Sequence, residues 1–458
     1  MKKELVLREI YRQNKQWNND SEFFSDLKTV RRKRKLFFEL LPYLEKKQII
    51  SIVGLRRTGK TVLLKQLIKR LTGKNNPQNI LFLTFDEAIF PKGITLADYI
   101  GEYRNEIAPK SGTLYVFLDE IQYAKKWQHI IKRYWDTDSR IKFVISGSSS
   151  LFLRKKTTES LAGRIYEFTL PILSFEEYLE FRELNSELIK GYEKYAIGIS
   201  EEIKESKERN NFFYTYGGEM KKEFQNYLRF GQFPEIVGET DRNAVRKYLT
   251  DSIYKKTIEY DIPKIFGVER IDEFKFLFQV LINESGSVME IKNIAREVGI
   301  DEKTVKKYIN YLEESFLIHI LYNFTKSIRK SRRVLKKVYL GSANFFSAFH
   351  DWRDEKLASQ QMGFLAENYC LFLLQKHFEY LFFYRIRSSE IDFLGTNDRL
   401  DNSGYKYFEV KYRNDFSHKD IVFLLKTAKK NKNNCRIITK NKLAVTNGCS
   451  MVPAWMLK

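Results

Sequence analysis

An α/β architecture built on a parallel sheet is the fold class this sequence predicts, and three observations predict it. Residues 54 to 61 read G-L-R-R-T-G-K-T directly after the apolar run I-I-S-I-V. From about 48 to 172, short β-rich runs (I-I-S-I-V, I-L-F-L-T-F, L-Y-V-F-L, I-K-F-V-I) alternate with helical segments. Such alternation is the pattern of a parallel sheet with helices on its faces. Finally, the last two of these runs end in polar residues, D-E and S-G-S-S-S.

The first observation carries chemistry. A loop that cradles phosphate must turn its backbone N–H groups inward, which calls for glycine at its start and before the lysine. Gly54 and Gly59 stand there, with Leu55, Arg56, Arg57 and Thr58 between them. Lys60 is expected to reach the terminal phosphates of a nucleotide and Thr61 to put its hydroxyl on Mg²⁺. Val62 to Leu71 follows as an apolar-faced helix whose N-terminus favours an anion.

The second strand end, Asp119-Glu120, supplies carboxylates where such a site needs them. Asp119 is expected on the metal side and Glu120 beside the attacking water. At the third strand end, Ser148 within Ser146-Gly147-Ser148-Ser149-Ser150 offers a hydroxyl to the γ-phosphate or the water. An ordinary Ser/Gly turn is the plain alternative there.

Together these strand ends resemble the Walker A, Walker B and sensor 1 elements of AAA-type ATPases. The D-E-I-Q and S-G-S-S-S forms look most like a branch found in many archaeal and bacterial ATPases. In that branch a Gly-Arg pair follows the sensor, and Gly163-Arg164 matches it. The resemblance implies that Arg164 stabilises the transferred phosphoryl, in cis or from a neighbouring subunit, so a homo-oligomer is allowed. A surface arginine in a salt bridge is the alternative.

Further along, residues 285 to 317 carry two short apolar helical faces separated by Gly299 and Asp301. The first comprises Ile291, Ile294, Ala295 and Val298; the second comprises Val305, Tyr308, Ile309 and Leu312. A basic stretch with hairpin alternation follows, and the whole looks like a winged helix-turn-helix. Lys303, Lys306 and Lys307 are expected on the exposed face of the second helix. The hairpin adds Lys326, Arg329, Lys330, Arg332, Arg333, Lys336 and Lys337, enough cations to neutralise several phosphates.

In the last hundred-odd residues, Glu390-Ile391-Asp392-Phe393-Leu394 precedes Tyr407-Phe408-Glu409-Val410-Lys411. Residues two apart on a strand face the same way, so Glu409 and Lys411 share a side and Val410 turns to the core. Asp392, Glu409 and Lys411 resemble the D…(D/E)-x-K motif of restriction-endonuclease-like nucleases. Glu367, on the apolar helix before them, matches an acid often supplied by that fold's first helix. The resemblance implies Mg²⁺ on Glu367, Asp392 and Glu409, with Lys411 activating water or holding the scissile phosphate.

The order of parts is similar to a large family of archaeal and bacterial AAA-type ATPases whose C-terminal half is a domain of unknown function. Tyr227-Leu228-Arg229-Phe230-Gly231-Gln232-Phe233-Pro234-Glu235 resembles that family's Y-L-x-x-G-G-F-P-E segment, departing from it at Gln232. Five regions are expected. They are a basic helical segment over 1–45, the ATPase domain over 46–190 and a helical lid or linker region over 191–284. A winged helix over 285–340 and a restriction-endonuclease-like domain over 341–458 complete them. Within the third, Glu201 to Asn211 reads as a linker or exposed loop.

Bulk properties narrow the setting. The 458 residues carry 80 Lys plus Arg against 58 Asp plus Glu, a formal charge of +22, which favours a polyanionic partner, either nucleic acid, DNA first, or an anionic membrane surface. Among the basic clusters is Arg31 to Lys35. Cys370, Cys435 and Cys449 lie far apart with no C-x-x-C spacing, so neither a disulfide framework nor a zinc site is indicated and a reducing compartment is expected. No apolar run approaches a membrane span, and a cytoplasmic protein follows. The resulting expectation is an ATP- and Mg²⁺-dependent ATPase that binds nucleic acid and carries a nuclease-like tail. The alternative is a nucleotide-gated DNA- or protein-binding switch with an inert nuclease-like scaffold.

Overall fold

The computed structural model describes residues 2–18, 22–25, 27, 32–85, 93–148, 161–203, 205–325, 335–350, 355–399, 404–430, 435–446 and 449–458, with backbone alone at 355–359, 430, 445 and 446. Ser149, Ser150, Arg31 and the hairpin cations Lys326, Arg329, Lys330, Arg332 and Arg333 lie outside them. The chain divides into two compact units, Met1–Ile172 with Glu314–Phe316, and Leu173–Glu313 with Leu317–Lys458.

In the first unit, helix α1 (Lys2–Gln13) precedes strands β1 (Ile49–Val53), β2 (Ile80–Thr84), β3 (Leu114–Asp119), β4 (Ile141–Gly147) and β5 (Ile165–Thr169). Their order across the sheet is β2-β3-β4-β1-β5, and every pairing is parallel. Alternation along each strand feeds two cores. Ile49, Val53, Leu114, Val116, Leu118, Phe143 and Ile145 pack on one face, with Val6, Ile10, Tyr99, Trp127 and Ile131 from helices. Ile50, Ile52, Phe117 and Val144 pack on the other, against Leu63, Leu64, Leu67 and Ile68 of helix α2 (Lys60–Thr72) and Phe37 and Leu40 before the sheet. Trp127 is fully buried, and truncating such a side chain to Ala costs about 3–5 kcal/mol.

The N-terminal segment is part of this unit. Strand β2 lies at a sheet edge, where unpaired backbone groups invite unwanted pairing. Asn14 covers it: its Oδ1 accepts from Phe82 N at 2.7 Å and its Nδ2 donates to Phe82 O at 2.9 Å. Gln13 Oε1 accepts from Thr84 N at 2.8 Å.

The second unit opens with a helical region. Its longest helix, α3 (Lys207–Phe230), begins inside the stretch read as a linker, with Ser206 capping Arg209 N at 3.2 Å. The polar residues 207–211 are therefore the first turn of a helix, whose support comes from the aromatic residues that follow, Phe212 and Phe224 among them. The segment 227–235 turns the chain at the end of α3. A Cβ on Gly231 would lie 2.4 Å from the Tyr178 ring, so that position needs glycine. Gln232 is accommodated because its side chain is used: Oε1 accepts from Ser342 Oγ at 2.7 Å and its backbone N donates to Asn344 Oδ1 at 2.8 Å.

Helices α4 (Ile291–Val298) and α5 (Glu302–Glu314) follow, with Gly299 in the left-handed conformation between them. Val305, Tyr308, Ile309 and Leu312 are buried, while Lys303, Lys306 and Lys307 are exposed as expected. The hairpin β6 (Ile318–Asn323) and β7 (Lys336–Leu340) is antiparallel. Then come α6 (Glu355–His377), β8 (Tyr380–Ile386), β9 (Ser389–Thr396), β10 (Lys406–Lys411), α7 (Val422–Lys430), β11 (Cys435–Thr439), β12 (Ala444–Thr446) and β13 (Cys449–Pro453). Among the described residues, the eight strands of this unit form one sheet, ordered β12-β13-β11-β10-β9-β8-β6-β7. The hairpin thus continues the C-terminal sheet, and no break falls at residue 340.

The cysteine expectation is corrected. Cys435 and Cys449 occupy paired positions on β11 and β13, 4.7 Å apart at Cα, and their sulfurs are joined as a disulfide. Sequence spacing carries no sign of this pairing because the strand register creates it. Cys370 is free and buried. Among the described residues, no helix is long and apolar enough to cross a membrane.

Candidate nucleotide site and candidate acidic site

In parallel sheets, ligands gather at the carboxyl ends of the strands. The ends of β1, β3 and β4 bring Gly54–Thr61, Asp119-Glu120 and Ser146–Ser148 to one edge of the first unit's sheet. Gly54 adopts φ +151°, and a Cβ there would lie 2.2 Å from Leu170 O. A side chain would collide with backbone, so the loop's start admits only glycine. Leu55 and Thr58 are buried, and Thr58 Oγ donates to Leu55 O at 2.9 Å. Arg56 and Arg57 follow the loop's turn, Arg57 at φ +66°. Gly59 caps α2, and Lys60 folds over the loop with Nζ 3.0 Å from Gly54 O and 2.9 Å from Leu55 O.

Thr61 Oγ donates to Asp119 Oδ2 at 2.6 Å, and Ser146 Oγ donates to Asp119 Oδ1. Asp119 is buried and held by two neutral hydroxyls. Hydroxyl and carboxylate oxygens are the donors a hard divalent cation takes, so Thr61 and Asp119 fit Mg²⁺. Glu120 sits at φ +51°, which turns it off the strand. Burial raises its carboxyl above the ordinary range, opposed first by the Lys60 ammonium, with Asp119 adding to the rise. Gln122 bridges Glu120 and Ser148, donating to the latter's Oγ at 3.2 Å.

Three members of this site escaped the sequence reading. Ser146 lay in the S-G-S-S-S run, but strand alternation alone did not say which serine turns to Asp119. Gln122 stood next to the acids with no spacing rule to mark it. Arg34, read as one cation of a basic cluster, is buried. Its guanidinium donates to Thr58 O at 2.8 Å and to Pro171 O and Ile172 O at 2.8 and 3.1 Å, clamping the loop from behind.

Arg164 stands elsewhere. Ile49 N donates to Arg164 O at 2.8 Å, which puts Arg164 at the amino end of β1, whereas the loop leaves its carboxyl end. At ~3.3 Å per residue, the intervening strand is ~16 Å long. Its guanidinium pairs with Asp136 at 3.2 Å and lies 5.0 Å from the centroid of the Trp135 ring. The expected role in cis is therefore excluded.

The second unit brings the nuclease-motif residues together. Asp392 Oδ2 accepts from Val410 N at 2.8 Å, and Asp392 N donates to Glu409 Oε2 at 3.4 Å. Lys411 Nζ lies 2.5 Å from Glu409 Oε1, so the two share a face as alternation requires. Glu367, on α6, accepts from Tyr339 OH at 2.7 Å and lies 3.7 Å from Lys337 Nζ. Burial and the Asp392 charge push Glu409 up to about 8 and Glu367 up to about 7, with Lys411 and Lys337 respectively opposing. Among the described residues, no three acidic, His or Cys side chains converge closely enough to hold a metal ion. The expected three-carboxylate set of Glu367, Asp392 and Glu409 is thus corrected to a pair, Asp392 and Glu409, with Glu367 drawn toward β7.

Lys337 also corrects the basic-hairpin reading. It is buried and ion-paired with Glu390 at 2.5 Å, so it offers no charge to an outside polyanion. Lys336 lies over the Tyr322 ring, 5.2 Å from its centroid.

Residues 46–179 match the family described as an AAA domain, and residues 221–354 match one described as a domain of unknown function. An uncharacterised protein of Methanocaldococcus jannaschii is 28% identical over 412 residues, spanning 86% of this chain and 82% of the relative. A second from the same organism is 26% identical over 297 residues, spanning 63% and 60%. Among solved structures, the ORC1 protein of Aeropyrum pernix in complex with DNA aligns over 73% of this chain and 91% of its own, at 14% identity and a TM-score of 0.31. DnaA of Aquifex aeolicus bound to AMPPCP aligns over 65% and 89%, at 17% identity and a TM-score of 0.23. The parallel strand order and phosphate loop of the segment 46–179 match a P-loop AAA-type domain.

Proposed function

We propose that this protein is an Mg²⁺-dependent ATPase that binds DNA through its second unit, where a restriction-endonuclease-like domain carries a nuclease site. The observation that carries the ATPase reading is the grouping of Lys60, Thr61, Asp119 and Glu120 at one sheet edge, with Thr61 bonded to Asp119. The loop's N–H groups and the start of α2 would hold the phosphates, and Lys60 would leave its carbonyl partners for the terminal ones. Mg²⁺, when bound, would offset the charge on the phosphate oxygens. Glu120 would align the attacking water and accept its proton, and Gln122 would keep that carboxylate oriented.

The nuclease reading is supported by the pair Asp392–Glu409 beside Lys411. Helix α6 carries Glu367, and the antiparallel pairing of β9 with β10 sets Asp392 beside Glu409 and Lys411. DNA binding is supported by α4, α5 and the exposed Lys303, Lys306 and Lys307. Arg164 keeps only a role from a neighbouring subunit.

A second reading, the nucleotide-gated switch with an inert scaffold, is favoured by one observation: Glu367 is tied to Lys337 and Tyr339. One experiment separates the two. Purified protein with Mg²⁺ or Mn²⁺ and plasmid DNA should nick or cut it, and Asp392→Ala and Lys411→Ala should each abolish cutting. Retention of DNA without cleavage would favour the switch. For the ATPase, Lys60→Ala should abolish ATP turnover, whereas wild-type turnover in Glu120→Gln would remove the water-positioning role.

A further inference from the structure

The hairpin β6–β7 reads as an outward basic ribbon, yet its second strand turns a lysine inward. Lys337 is 5% exposed at its side chain, with its ammonium 2.5 Å from Glu390 Oε1 and 3.7 Å from Glu367 Oε1. Two residues on, and so on the same strand face, Tyr339 donates to that same Glu367 Oε1 at 2.7 Å. Strand β6 of the hairpin pairs in parallel with β8 at Tyr322–Phe382 and Asn323–Phe383, and the Asn323 side chain bonds to the Arg385 backbone. From the sheet's edge, the inward face of β7 reaches side chains of β8 and β9, with Lys337 Nζ 5.5 Å from the Phe383 ring centroid and the Tyr339 ring 5.9 Å from that of Phe393.

We infer that Lys337 is the internal counter-cation of this acidic site and that, with Tyr339, it holds Glu367 away from the divalent cation that Asp392 and Glu409 would take. The inference rests on the nuclease-like reading above. It makes Lys337 a positioning residue: it acts through Glu367.

Charge accounting supports it. Glu367, Glu390, Asp392 and Glu409 crowd one buried region, where unpaired carboxylates are costly. Lys411 answers Glu409, and Lys337 answers Glu390 and Glu367. Glu367 Oε1, the oxygen nearest Lys337, is also the acceptor of the Tyr339 hydroxyl. Without Lys337, Arg385 would still pair with Glu390 at 3.8 Å and Lys411 would still feel Asp392, but the Glu367–Glu390–Asp392 group would hold excess negative charge, which a proton or a divalent cation relieves. The Asp392 charge alone repels Glu367, so a divalent cation held at Asp392 would draw in the Glu367 carboxylate that Lys337 no longer retains. The seat of the hairpin therefore sets the metal affinity of the site.

The test is Mn²⁺ titration of the full chain, reading free Mn²⁺ by electron paramagnetic resonance. The binding that Asp392→Ala removes defines the site's share. Lys337→Met should bind Mn²⁺ more tightly by about tenfold, the lower end of what outer-shell partners do to metal affinity. Lys337→Arg should restore the wild-type value, and Lys337→Met with Glu367→Gln should lose the gain. Glu367→Gln alone, a near-isosteric change, should leave the wild-type affinity within about twofold, and it decides the matter even if Lys337→Met fails to fold. A weakening of about tenfold in Glu367→Gln would make Glu367 a direct ligand and overturn the inference. Equal Mn²⁺ binding by wild type and Lys337→Met, abolished by Asp392→Ala, overturns the inference and leaves the nuclease-like reading intact. If neither protein has a site that Asp392→Ala removes, both fall.

Discussion

The two acidic sites answer the same problem, how to keep carboxylates buried, in opposite ways. In the first unit, Asp119 is held by the neutral hydroxyls of Thr61 and Ser146. Its negative charge stays available to a cation arriving with a nucleotide. In the second, Glu409 is answered by Lys411, and Glu367 and Glu390 by Lys337. There the chain brings its own cations, and a metal must compete with them. Hydroxyl partners leave a site ready for metal, whereas ammonium partners make metal binding conditional.

The strongest way to break this comparison is to disable the first site. Lys60→Ala should remove ATP turnover altogether. Glu120→Gln should lower the rate by about 10²–10⁴-fold, the usual scale for a proton acceptor, while ATP still binds. Phosphate release and nucleotide affinity, measured side by side, check both. Burial raises the Glu120 carboxyl, and only its ionised form accepts a proton. Wild-type turnover should therefore fall as pH drops through a value above the ordinary glutamate range of about 4.3.

Next in size is Lys411→Met, which breaks a pair whose side chains are 19% and 7% exposed. Leaving a buried charge without its partner costs about 3 kcal/mol, read by urea unfolding. A carboxyl raised in the folded state binds more protons there than in the unfolded chain. Its contribution therefore worsens as pH rises from the ordinary glutamate range toward the raised value. Without Lys411 the Glu409 value rises further, so the stability loss should be larger at about pH 9 than at about pH 6. An equal loss at both would mean that the Glu409 charge does not sense Lys411.

Ser146→Ala sharpens the contrast from the other side. It removes one neutral donor from buried Asp119 and should cost about 1–3 kcal/mol in thermal unfolding, with little dependence on pH near neutrality. The smallest expected effect is that of Arg164→Ala. Its ion pair is partly exposed and should contribute under about 1 kcal/mol, and ATP affinity should not change. A large loss of turnover that deepens as protein concentration rises would instead assign Arg164 to a neighbour's nucleotide site.

What was legible in the sequence was whatever depends on neighbours along the chain. The phosphate loop is eight consecutive residues whose backbone needs Gly54 and Gly59 in place, and Asp119-Glu120 follows a strand that its own apolar run declares. Glu409 and Lys411 share a face because a strand repeats every second residue. Tertiary structure decided the rest. Which serine reaches Asp119, and that Arg34 clamps the loop, follow from strand order and packing. Arg164 fell at the wrong end of the sheet because motif order says nothing of which strand end a residue occupies. The Cys435–Cys449 pairing follows from the parallel register of β11 and β13. Lys337 read as one cation among many in a basic run; only the inward face it takes on β7 made it the partner of Glu367. Local backbone geometry is encoded locally, while the pairing of charges across strands is set by register and sheet order, which no short stretch of sequence contains.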